Sequence, residues 1–85
     1  MNTLPRIKTV VPIDGYLLSV IFDDGRKVTY NVGDDIDTID AFKPLKAVDG
    51  LWAQVQLDES RTVVYWNDWI DLSSDTIYEY GVISE

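Results

Sequence analysis

Histidine and cysteine are both missing from these 85 residues. Without thiols the chain can form no disulfide, thiolate zinc site or cysteine nucleophile, and without imidazole it cannot supply a Ser–His–Asp triad by itself. Basic residues are scarce: 7 Lys and Arg stand against 15 Asp and Glu, giving a net charge of −8. Polyanion binding draws on cations that neutralise phosphates. Here they occur singly or in pairs (Arg6 with Lys8, Arg26-Lys27, Lys43 with Lys46, Arg61), so no direct contact with nucleic acid is expected. Long apolar runs are absent too. Val10-Val11 and Leu17-Leu18 fall far short of the roughly 20 residues that cross a bilayer. The start, Met1-Asn2-Thr3-Leu4-Pro5-Arg6, has no apolar stretch of the signal-peptide kind. A cytoplasmic location with no membrane partner is the expectation.

What is present is enough to fold. Apolar residues make up 46 % of the chain, too many for a disordered acidic tail. The length suits a single domain over residues 1–85. A core this small needs bulk, and three Trp, five Tyr and two Phe supply it.

Two segments read as related hairpins. Val20, Asp23, Arg26, Val28 and Tyr30 recur as Val55, Asp58, Arg61, Val63 and Tyr65, each 35 residues later. Convergence on similar hairpins explains this as well as duplication does. In residues 26–32, Val28, Tyr30 and Val32 alternate with Lys27, Thr29 and Asn31, the period of a half-buried antiparallel strand. Residues 16–22 are apolar on both faces, which predicts a central strand. Asp23-Asp24-Gly25 closes the turn, with Gly25 suited to a positive φ. An earlier strand at about residues 7–13 contains Pro12 and so belongs at an edge or a strand end.

Between the hairpins, Ile36 and Ile39 share the spacing of one face of a short helix. Asp34 and Asp35 suit its N-terminus, and Pro44 limits its extent. Residues 71–75 offer N-caps for a second helix that Gly81 ends. The predicted fold class is α+β: a twisted antiparallel sheet of four or five strands built from the two hairpins, with one or two short helices.

The order Pro5-Arg6-Ile7, Leu18-x-Val20-x-Phe22-Asp23-Asp24-Gly25, Phe42-x-x-Leu45, Trp52-x-x-Val55, Val64-Tyr65-Trp66, Ile70-Asp71-Leu72 and Tyr78 resembles the small bacterial family called domain of unknown function 2442. The resemblance runs from Pro5 to about Tyr80. It implies an α+β domain with no catalytic residues to carry over. Such domains are sometimes joined to a helix-turn-helix DNA-binding domain, which is not expected here. It further implies a neighbouring gene for a second small protein, in a pair that looks like a toxin–antitoxin module with this type of chain as the antitoxin.

Four groups of residues invite functional readings. Asp34, Asp35, Asp37 and Asp40 could gather around a hard cation, but the spacing lacks the Gly and terminal Glu of a calcium loop. Helix capping and solvated charge are the simpler account. Asp23-Asp24 and Asp58-Glu59 sit at hairpin tips, where water denies them the burial that tunes a catalytic acid. Asp71 is expected to cap the following helix through the amides of Ser73 or Ser74. The aromatic set is mostly core, with Trp66 or Trp69 and also Tyr80 left as a candidate protein-binding surface. No cofactor is implied. The expected function is therefore non-enzymatic: a protein-binding module, antitoxin-like, for a small basic protein encoded nearby, with homo-oligomerisation also compatible. A sensor-like domain for a small molecule or metal is the alternative.

Overall fold

A computed structural model describes residues 4–83. Met1, Asn2 and Thr3, part of the N-terminal run read above for an apolar leader, lie outside the described residues. Strand β1 (Ile7–Ile13) is an edge strand, which lets it carry Pro12. Strand β2 (Leu17–Phe22) lies between β1 and β3 (Lys27–Asn31), as its two apolar faces predicted. The hairpin turn holds Gly25 at φ +90°, and the Phe22 carbonyl accepts the Gly25 N–H at 2.9 Å.

Helix α1 (Val32–Thr38) buries Val32 and Ile36. Ile39 does not share that face: the helix ends at Thr38, Ile39 turns to extended backbone, and its side chain is exposed. Pro44, read as a helix stop, instead opens helix α2 (Pro44–Ala47). At the first helical position a missing N–H costs nothing, because no earlier carbonyl could have received it. Single 3₁₀ turns at Asp40–Phe42 and Trp52–Gln54 complete this region.

The second hairpin joins β4 (Gln56–Leu57) to β5 (Val63–Asn67), which β6 (Ile70–Ser73) extends into a three-stranded sheet. Helix α3 (Ser74–Tyr80) leads to β7 (Val82–Ile83), which pairs antiparallel with β3. The α+β, antiparallel architecture is as predicted, but among the described residues the strands divide into sheets of four and three, with orders β1-β2-β3-β7 and β4-β5-β6, and the α-helices number three. Residues 71–73 extend a strand where only caps were foreseen, and the two-residue strands β4 and β7 are too short to show a period.

Both sheets turn one face inward. Leu18, Val20, Phe22, Val28 and Tyr30 of the first meet Val64, Trp66, Ile70 and Leu72 of the second, and α1, α2 and α3 add Ile36, Leu45 and Ile77 to the same cluster. The hairpin tips are tied together: Arg61 donates to both carboxylate oxygens of Asp23, at 2.8 and 2.9 Å. The Arg61 carbonyl also accepts the Ile7 N–H at 2.8 Å.

Candidate functional site

Strand alternation decides the fate of the aromatic candidates. On β5, Val64 and Trp66 point inward while Val63 and Tyr65 point out, so Trp66 is only 4 % exposed and leaves the candidate surface. Its ring stacks on Trp52 at 5.5 Å between centroids, and its Nε1 donates to the Trp52 carbonyl at 3.1 Å. Trp69 is the opposite case, 79 % exposed in the β5–β6 turn. Asn67 Oδ1 fixes that turn by accepting the N–H groups of Trp69 and Ile70, at 2.8 and 3.0 Å. Tyr80, at the end of α3, is 73 % exposed. It lines an open groove with Val82, Leu17, Thr29, Asp34 and Asp35, and Trp69 does not reach that groove. The structure thus separates Trp69 from Tyr80. It supplies Val82 and Ile83 as exposed apolar neighbours of Tyr80 that the sequence reading missed; a two-residue strand carries no periodic signal to reveal them.

Of the acidic cluster, Asp35 has a defined structural partner. Asp35 accepts the Tyr30 hydroxyl at 2.7 Å. Burial first, and then that hydrogen bond and the charges of Asp35 and Asp34, push the Tyr30 phenol well above its ordinary range. Asp37 and Asp40 lie 3.7 and 3.8 Å from Lys46 and Lys43. Among the described residues, no three acidic side chains gather closely enough to hold a metal ion.

At the hairpin tips, Asp24 accepts the Arg26 N–H at 2.9 Å and the Tyr78 hydroxyl at 2.7 Å, and these bonds hold its carboxyl below the usual aspartate value. Asp58 is lowered as well. Partial desolvation works against ionisation there, but bonds from Ser60 Oγ and from the N–H groups of Val63, Thr62 and Arg61 outweigh it. Asp71 does not cap α3: it lies exposed on β6 opposite Tyr65, because the strand runs on to Ser73 before the helix begins. Asp75, in the first turn of α3, is bonded by the Ser73 hydroxyl and the Thr76 N–H instead.

A second open groove lies between the first hairpin and α3, lined by Pro5, Asp24, Arg26, Asp75, Tyr78 and Glu79. Within it Asp24 takes the Tyr78 hydroxyl and the Arg26 backbone N–H, while Arg26 Nε is buried without a hydrogen-bond partner. The Arg26 guanidinium lies 4.1 Å from the Tyr78 ring centre, and that ring packs edge-on against Phe22 at 4.9 Å. Among the described residues, no helix is long and apolar enough to cross a membrane.

No curated protein and no solved structure matches the chain. One family model does, over residues 7–82, which takes in every strand from β1 into β7 and all three helices. The chain belongs to the family described as protein of unknown function (DUF2442).

Proposed function

We propose that this protein is a non-enzymatic binding module that holds a small basic protein encoded beside it, in the manner of an antitoxin, in the cytoplasm. The observation that carries the reading is the pairing of a net charge of −8 with large apolar side chains left in water: Trp69, Tyr80, Val82 and Ile83 are each more than half exposed. Scattered apolar residues on a surface are ordinary, but three of these four fall within four positions of one another, at the end of the chain beside an acidic groove. Negative charge speeds encounter with a cationic partner, and desolvated aromatic side chains hold what has been caught.

The carboxylates give little support to catalysis. Asp23, Asp24, Asp35 and Asp58 each accept hydrogen bonds within the fold, and those on Asp24 and Asp58 favour the ionised form instead of raising it toward a working acid. The sensor-like alternative has less behind it, because among the described residues no acidic cluster could hold a metal and the groove beside Tyr78 is open, with Asp24 and the Tyr78 hydroxyl already bonded to each other. Co-expression with the product of the adjacent gene, followed by size-exclusion chromatography, tests the proposal. A single peak containing both chains at micromolar concentration is expected, and separate elution counts against it.

A further inference from the structure

Directly paired residues of an antiparallel ladder point to the same side of the sheet. The registers of the first sheet therefore put Val11, Ser19, Thr29 and Val82 in one row across β1, β2, β3 and β7, on the side away from the core. The row on one flank is Ile13, Leu17 and Asn31, and the row on the other is Thr9, Ile21 and Lys27. All the helices contribute to the core on the opposite side. None of the described residues packs over its edges: Val11 is 52 % exposed, Ile13 39 % and Val82 72 %. Its apolar residues lie on β1, β2 and β7, while β3 presents Lys27, Thr29 and Asn31; what sets the face apart is its charge. Lys27 is the one ionisable side chain among the residues so paired, and none of the chain's 15 acids is there. Acids stand at its margin instead, with Asp14 next to Ile13 and with Asp34 and Asp35 sharing the Tyr80 groove with Leu17, Thr29 and Val82.

An antiparallel sheet that faces water alternates apolar with polar residues, whereas β2 breaks its outward side only at Ser19, between Leu17 and Ile21, close to the pattern of a strand covered on both sides. We infer that the outer face of the four-stranded sheet is where the partner docks, and that the partner is a protein presenting an apolar surface flanked by Lys or Arg. Charge complementarity selects that occupant. A second copy would set −8 against −8 and one acidic margin against another, while a cationic protein meets an acid-free face with apolar side chains on three of its strands and an attracting rim. The inference rests on the binding reading above and gives it a surface.

The test is co-purification with the product of the adjacent gene, using Val11→Lys and Thr29→Lys, each of which sets a cation inside the docking face. Val82→Lys, on a two-residue strand, is the variant least able to disturb the fold. Circular dichroism and the thermal midpoint establish that each variant is folded. The expected result is at least a tenfold loss of affinity for all three and less than a twofold change for Gln54→Ala, an exposed side chain of the Trp52–Gln54 turn. A wild-type complex that the three folded variants retain overturns the inference but leaves the binding reading intact. A wild-type chain that never binds the adjacent product overturns both. Sedimentation showing a wild-type dimer that Val11→Lys dissolves assigns the face to a second copy, and overturns the inference as well.

Discussion

Gly25 and Gly81 end elements for different reasons, and alanine scanning separates them. Gly25 sits at φ +90° with open space where a Cβ would go, so Gly25→Ala is penalised by backbone conformation alone, about 1 kcal/mol. Gly81 has an ordinary φ of −69°, but a Cβ there would stand 2.6 Å from the Ile77 carbonyl and 3.0 Å from Val28 Cβ. Gly81→Ala is expected to cost about 1–3 kcal/mol through overpacking. Urea denaturation measures both, and a Gly81→Ala protein as stable as wild type would refute the close approach.

Tryptophan substitution makes a second contrast at this scale. Trp66→Ala opens a cavity beside Trp52 and Phe42 and should cost about 3–5 kcal/mol, whereas Trp69→Ala should change stability by less than about 0.5 kcal/mol. The same denaturation curves report both. Asp24 and Asp58 give the pH dependence. Each has a folded-state pKa below the ordinary aspartate value of 3.8, so the stability they contribute is complete above that value and is lost as pH falls through the lowered one. Asp58→Asn should therefore flatten the fall of the thermal midpoint below pH 3.8, and an unchanged acid limb would contradict this.

At the scale of elements, the first hairpin was legible because its code is local. Strict alternation in β3 and the Asp-Gly turn specify strand, face and turn within a dozen residues. The second hairpin was legible in outline only. Ser60 stands where the first has Gly25, the loop is longer, and Arg61 takes the positive φ of +60°. That backbone is held by the bidentate contact with Asp23, made across 38 residues, which no local pattern encodes. Asp23→Asn should loosen this tie. Both side chains are 40 % exposed, so the loss is a modest amount, about 0.5–1 kcal/mol, read from a double-mutant cycle with Arg61→Ala.

For the whole molecule, charge and surface act together. If a cationic partner is steered by the −8 net charge, its association rate should fall steeply as salt shortens the Debye length from ~10 Å at 0.1 M to ~3 Å at 1 M. Its dissociation rate should change far less, because the apolar docking face is insensitive to screening. Stopped-flow mixing at several salt concentrations measures both rates. A salt-independent association rate would remove electrostatics from recognition.

Composition and local pattern alone determined the fold class, the acidic field, the family and the absence of thiol and imidazole chemistry. Each of these depends on which residues are present or on neighbours within a turn or a strand. Which tryptophan is buried, how the strands divide between two sheets, and that β2 leaves one apolar face uncovered were decided by tertiary structure. The pairings behind them, Arg61 with Asp23, Trp66 with Trp52 and Val82 with Thr29, join residues 14 to 53 positions apart. Contacts of that span depend on how the whole chain closes around its core, which no short stretch of sequence records.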